Sequence, residues 1–262
     1  ETNRSADQAV RAIRGVIYDR NGVPLVMNVP AYSVKVRPSD LPEERRPEVV
    51  ARLAALLRLE ETDINLALDS NPGSRFDLVR IASDVDPNVA NFISESRLDL
   101  PGVEIVVESR REYATGPLLS QVIGYTGPVS ARQLQELKAT GYLPDDLIGK
   151  TGVEAQYEKE LRGTYGLESV EKDAAGRKLQ VLRTISEPVA GTSLELTIDV
   201  QDQRWAEQAL RWGMSEAGLK RGVVIVMNPQ TGEILALVSL PTYDDNLFAH
   251  GISGAEYQAL LD

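Results

Sequence analysis

The stretch "RGVIYDRNGVPLVMN", residues 14–28, reads as strand, turn, strand. Val16 and Tyr18 alternate with Ile17 and Asp19, the period of two that lines one face of a sheet. Asn21-Gly22 lies between the two runs. Both residues tolerate positive φ, so a two-residue hairpin turn is expected there. "AYSVKVRP", residues 31–38, is a further short alternating strand, stopped by Pro38.

Helices interrupt these short strands. "RPEVVARLAALLRL" (46–59) opens on Pro47 and presents Val50, Leu53, Leu56 and Leu57 on one face. "DPNVANFISESR" (86–97) repeats the device, with Asp86 as cap, Pro87 as first residue and Val89, Phe92 and Ile93 turned inward. "GVEIVVESRREY" (102–113) is a strand. "SARQLQELKATG" (130–141) joins Ser130 to Gln133 in a capping box and stops at Gly141. In "DLIGKTGVEAQYEKELRGTYG" (146–166), Val153, Tyr157 and Leu161 recur every four residues, which predicts an amphipathic helix ending near Gly163.

The pattern changes near residue 190. "LESVEKDAAGRKLQVL" (167–182) reads as a hairpin around Ala175-Gly176, and Leu194, Leu196 and Ile198 alternate in "GTSLELTIDV" (191–200). "QDQRWAEQALRWGMSEAG" (201–218) is helical, with Trp205, Ala209 and Trp212 on or near one face, a spacing that predicts core aromatics. "GVVIVMNPQTGEILALVSLP" (222–241) is a hairpin about Asn228–Gly232. Its runs are almost continuously apolar, so both faces of an α/β core are expected to be covered. Only the opening of such a core is present. The expectation is therefore that 223–239 is poorly ordered or packs against another copy.

Composition narrows the chemistry. The 262 residues suffice for one large domain or two modest ones, and 42% hydrophobic with 26% charged residues is ordinary for a soluble fold. The net charge of −11, with no basic stripe, argues against nucleic acid. The absence of cysteine removes disulfides, thiolate nucleophiles and Cys-ligated zinc. His250 is the only histidine, in the turn-like "NLFAHGISG", and reads as a surface loop residue. No cofactor or metal is expected. No apolar run reaches the length of a membrane span, and "ETNRSADQAVRA" (1–12) is no signal peptide. Both ends read as cut from something longer.

Six segments in order, "RGVIYDRNGVPLVMN", "RREYATGPLLSQVIGYTG" (110–127), "GKTGVEAQYEKELRGTYG" (149–166), "GTSLELTIDVQDQ" (191–203), "GVVIVMNPQTGEILALVSLPTYDDNLF" (222–248) and "GISGAEYQALL" (251–261), resemble the class B penicillin-binding proteins. The resemblance is to their elongation-type group, penicillin-binding protein 2. One departure is Gln121, where the family often has His. The resemblance implies an α+β fold: an elongated pedestal of short strands and hairpins over 1–190, with an inserted helical head subdomain at about 38–105. The first helix and hairpin of a transpeptidase α/β domain would follow over 191–262. It also implies a membrane-anchored, extracytoplasmic DD-transpeptidase of peptidoglycan synthesis acting in cell-wall elongation and cell shape. The full-length protein would take peptidoglycan stem peptides and β-lactams and contact a membrane glycosyltransferase of the elongation machinery.

The family's chemistry needs S-x-x-K, then S-x-N, then K-T-G, with the Lys one helical turn from the nucleophilic Ser. Lys150-Thr151-Gly152 spells the last triplet but precedes everything else, at a loop-to-helix junction, and reads as chance. It is no phosphate loop either, because the required glycine is Pro144. Ser169 and Lys172 form one formal S-x-x-K. With 17 Ser and 7 Lys in the chain, about 0.45 such matches arise by chance. They fall in a strand-like stretch, where residues three apart face opposite sides. No Ser is followed two residues on by Asn. The chain is thus expected to lack the catalytic serine and to serve as pedestal and partner-binding scaffold. Arg14, Asp19, Arg111 and Tyr113 are candidates either for a partner interface or, preferably, for holding the pedestal's own sheet. Self-association of the fragment is a further expectation. Two other readings compete: a stand-alone binding or β-lactam-sensing module, and an unrelated carboxylate-dependent hydrolase drawing on the 39 Asp and Glu residues, most of which read as solvated surface and caps.

Overall fold

The structure, a computed structural model, describes residues 4–70, 75–137, 140–143, 146–173, 178–252 and 254–261. In chain order the elements begin with β1 (Arg4–Val10), β2 (Ile17–Tyr18), β3 (Pro24–Val36), α1 (Arg46–Leu57), α2 (Glu61–Asp69), β4 (Val79–Val85), α3 (Pro87–Glu95) and β5 (Val103–Tyr113). Next come α4 (Ser120–Ile123), β6 (Thr126–Pro128), α5 (Ala131–Leu137), β7 (Leu147–Gly149), α6 (Gly152–Gln156), α7 (Glu158–Arg162), β8 (Gly166–Lys172) and β9 (Lys178–Ser186). The chain continues through β10 (Leu194–Glu195), α8 (Val200–Ala217), β11 (Gly222–Met227), β12 (Ile234–Leu240), α9 (Asn246–His250) and α10 (Gly254–Leu261). Among the described residues, helices and small, mostly antiparallel sheets alternate without a βαβ repeat, and the fold class is α+β.

Two compact units divide the chain. The first takes 1–9, 30–110 and 167–186; the second takes 10–29, 111–166 and 187–262. In the first unit, the later part of β3 pairs antiparallel with β4, and β5 pairs with β3. Helices α1, α2 and α3 close over Val34, Val36 and Val103 with Val50, Leu53, Ile64 and Ile93 in one apolar core. Asp86 caps α3 by accepting from the Asn88 N–H at 2.8 Å, as its position before Pro87 predicts. Phe92, expected inside, is 46% exposed; Ile93 is buried as expected, with Ala90 beside it in the stripe. The sheet β1-β8-β9 completes this unit.

In the second unit, β2 lies between β3 and a parallel β10. Ile17, Leu25, Val26, Tyr113, Leu119, Ile123, Leu161 and Ile198 form its main core. The hairpin at 14–28 forms, but its turn is longer than the expected two residues. It spans Asp19 to Val23, and the Asp19 carboxylate accepts the Asn21 and Val23 N–H groups at 2.8 Å each. A buried Asp that satisfies two turn amides overrides the tight turn that Asn21-Gly22 alone would favour. Residues 31–36 are no separate strand, because β3 runs unbroken from Pro24 to Val36.

The amphipathic helix expected over 153–161 is two short helices, α6 and α7, joined at Tyr157 (φ −108°, ψ 26°). Leu161 is buried as expected, whereas Tyr157 is exposed. The Ser130–Gln133 capping box forms in both directions, at 3.1 and 3.2 Å. β8 and β9 pair as a hairpin; the turn at Ala175-Gly176 lies outside the described residues.

Helix α8 packs on the β11–β12 hairpin through Ala206, Leu210 and Met214 against Val224, Ala236, Val238 and Leu240. The hairpin forms a two-stranded sheet with one apolar face uncovered, as half of a sheet is expected to leave it. Val223, Ile225 and Met227 lie exposed on β11. Trp205 and Trp212, predicted core residues, are 60% and 71% exposed. Ala206, Leu210 and Met214 form this helix's contact face, so the hairpin packs along that stripe and leaves the indoles outside.

Candidate functional site

The second unit gathers its charged residues around Glu154, at the centre of α6. Its side chain is fully buried. Arg111 Nε donates to Oε1 at 2.8 Å, and Arg14 Nε donates to Oε2 at 2.8 Å. The Arg14 Nη2 also donates to the Glu154 carbonyl at 3.1 Å and to Glu158 Oε2 at 2.7 Å. Asn28 ties the two arginines together: its Nδ2 donates to the Arg14 carbonyl at 2.6 Å, and its Oδ1 accepts from Arg111 Nη1 at 3.1 Å. Three distant stretches of chain, at 14–28, 111 and 154–158, thus meet on one carboxylate.

Two guanidinia on one buried carboxylate supply the charge and donors without which the carboxylate could not be buried ionised. Burial alone would lower the Arg14 pKa, but the Glu154 and Glu158 charges hold it above its ordinary value. Arg111 goes the other way, burial outweighing the help of Glu154. A second tier extends the cluster. Glu158 Oε1 accepts from the Tyr142 hydroxyl at 2.8 Å, and Oε2 from the Gly149 N–H at 2.9 Å. The Arg162 guanidinium lies 3.7 Å from the Tyr142 ring centre and 4.5 Å from that of Tyr165. Tyr165 in turn donates to the buried Asp146 at 2.8 Å.

The four residues singled out in the sequence all lie in this unit, and two of them, Arg14 and Arg111, converge. Asp19 is buried in the turn described above, and the Val200 N–H reaches its Oδ2 at 3.3 Å. Tyr113 is buried; its hydroxyl accepts the Thr126 N–H at 2.9 Å, and burial pushes its pKa up. Sequence reasoning missed Glu154, Asn28 and Asn246. Asn246 binds the Tyr113 backbone twice, its Oδ1 accepting from N at 2.9 Å and its Nδ2 donating to O at 3.0 Å. A polar residue on a helix otherwise read as solvated gives no signal of such burial.

Lys150-Thr151-Gly152 lies where β7 passes into α6. Lys150 Nζ donates to Gln133 Oε1 at 2.8 Å. Gly152 has φ +58°, and a Cβ there would stand 2.5 Å from the Val122 carbonyl oxygen, so this position needs glycine for backbone reasons. Ser169 and Lys172 lie on β8, opposite Arg183 and Lys178 of β9. Among the described residues no group of three or more His, Cys, Asp or Glu is placed to hold a metal ion. Nor is any described helix long and apolar enough to cross a membrane.

Near the end of the chain, Asp244 Oδ1 accepts the Asn246 N–H at 2.9 Å, while Asp245 is buried with both carboxyl oxygens unpartnered. Burial, then the neighbouring Asp244 and Glu154, push the Asp245 carboxyl up to about 8. A buried acid without donors remains neutral up to that pH.

The chain belongs to the penicillin-binding protein dimerisation domain family, which it matches over residues 9–196. It is 37% identical over its whole length to the peptidoglycan D,D-transpeptidase MrdA of Acinetobacter baumannii, and 35% identical over 95% of its length to that of Escherichia coli. It spans 38% of the length of each. Penicillin-binding protein 3 of Bacillus subtilis is 33% identical over 94% of the chain and is covered to 35% of its own length. Among solved structures, the complex between penicillin-binding protein 2 and MreC from Helicobacter pylori matches with a TM-score of 0.80 and 25% identity, covering all of this chain and 47% of that one. Within its family the chain is therefore of the penicillin-binding protein 2 type and comprises the pedestal region.

Proposed function

We propose that this chain is the non-catalytic pedestal, with the opening of the transpeptidase domain, of an extracytoplasmic peptidoglycan D,D-transpeptidase of cell-wall elongation. Residues 1–190 would form the pedestal, with its head at about 38–105, and 191–262 the start of the catalytic domain. The observation that carries the reading is the Arg14–Glu154–Arg111 cluster. Its buried charges pair with one another and tie distant chain segments together, a structural rather than a nucleophile-activating arrangement. Arg14 and Arg111 act in this cluster as framework, and Asp19 and Tyr113 do so elsewhere in the same unit.

Ser169 supports the same reading, since it and Lys172 lie on a strand, where residues three apart face opposite sides of the sheet instead of meeting on one helical face. The parent protein would be membrane-anchored, and its pedestal would engage protein partners of the elongation machinery. The solved complex of the Helicobacter pylori relative with MreC supports a partner of that kind, and a membrane glycosyltransferase is a second. Incubating the chain with a fluorescent penicillin, followed by denaturing electrophoresis, tests the assignment. No covalent label is expected, and label mapped to Ser169 would overturn it.

A further inference from the structure

Strand β9 differs from every other strand described. All nine of its residues, Lys178–Ser186, are exposed, and among the described residues no strand pairs with its outer edge. Four of its residues are apolar and exposed, Leu179, Val181, Leu182 and Ile185, and three of them, Leu179, Leu182 and Ile185, recur every third position, a period that no regular strand uses. The ladder to β8 explains the spacing. Its register slips between Ser186 and Thr184, between Arg183 and Val181, and between Gln180 and Lys178. Ile185, Leu182 and Leu179 are the residues skipped at the three slips, and they are 43%, 49% and 53% exposed.

The charge of the strand is also inverted. Residues 178–186 carry Lys178 and Arg183 and no acid, in a chain of net charge −11. Lys178 stands directly opposite Lys172 in the ladder, a like-charge pairing that weakens a sheet unless anions are near. Glu168, 3.0 Å from Lys178, supplies one.

We infer that β9 is a membrane-contacting edge that seats Leu179, Leu182 and Ile185 among the headgroups of an anionic lipid surface, with Lys178, Arg183 and Lys172 facing the phosphates. Three bulges within nine residues remove the even row of N–H and C=O groups that an added strand would need. A second copy joined strand to strand would bring like charges together. An apolar ridge interleaved with cations fits acidic phospholipid, to which each cation near the surface adds about 1 kcal/mol, or about fivefold in binding. The inference does not depend on the enzymatic reading above.

Vesicle co-sedimentation of the 262-residue chain tests it. The vesicles are phosphatidylcholine alone, or phosphatidylcholine with on the order of one-third phosphatidylglycerol. Binding is expected only to the second kind, falling at high salt. The variant Leu179→Ser/Leu182→Ser/Ile185→Ser should lose most of the binding, and Lys178→Glu/Arg183→Glu should reduce it at least about tenfold, with circular dichroism unchanged. If the serine variant does not fold, the charge-reversed one decides. Equal binding to both vesicle types, none to either, or variants that sediment like the parent would overturn the inference. So would a lipid-free mass that doubles with concentration and reverts in these variants, which would assign β9 to a second copy.

Discussion

Glu154 and Asp245 are both buried carboxyls of the second unit, and their surroundings handle that burial in opposite ways. Glu154 receives two guanidinia, and its oxygens are filled from chain segments far apart in sequence. Asp245 receives nothing, and burial instead drives its carboxyl up to about 8. The first region is fastened by charge, whereas the second is tolerated only by giving charge up. Paired burial therefore marks where the fold is held, and unpaired burial marks where it is under stress.

The contrast can be tested in order of expected effect. Glu154→Ala leaves Arg14 and Arg111 facing an empty site, and should cost about 3–5 kcal/mol, seen as a fall of about 10 °C in Tm by calorimetry. A neutral counterpart is Gln203, fully buried in α8. Its Nε2 donates to the Leu118 and Leu237 carbonyls at 3.0 and 2.7 Å, and its Oε1 accepts the Leu237 N–H at 2.8 Å. Gln203→Leu should cost about 2 kcal/mol in urea unfolding, because it orphans one buried amide and two carbonyls.

Asp245→Asn should move the other way. The folded-state pKa of about 8 lies above the ordinary 3.8, so the folded protein binds more protons between those values. Stability should therefore fall as pH rises through that window. The Asn variant, which cannot ionise, should exceed the parent by more than about 1 kcal/mol at pH 8 and match it near pH 4. Urea midpoints at the two pH values decide this, and a variant no more stable at pH 8 would remove Asp245 from the account. Smallest of all, Trp212→Ala on the exposed side of α8 should stay within about 0.5 kcal/mol.

Sequence motifs that satisfy themselves locally are legible from the letters. The Asp86 cap, the Ser130–Gln133 box and the stripe of α1 depend on neighbours a turn away. The 14–28 hairpin was legible as a hairpin, but its turn geometry rests on where the Asp19 carboxylate points, which letters alone do not give. Trp205 and Trp212 misled because size suggests burial, while the contact face of α8 is chosen by what packs against it, and the hairpin packs at Ala206. At the candidate site, Arg14 and Arg111 could be singled out, but Glu154 could not. Its burial arises from segments more than 40 residues apart closing on it, and no local period encodes that. The family resemblance, by contrast, rested on ordered motifs spread along the chain.

A double-mutant cycle on Arg111 and Glu154, measured by urea unfolding of Arg111→Met, Glu154→Gln and the double variant, tests the central claim most directly. If this charge cluster holds the pedestal together, the coupling should be at least about 2 kcal/mol, with the double variant less destabilised than the two single variants summed. Coupling below about 0.5 kcal/mol, with both single variants as stable as the parent, would contradict it.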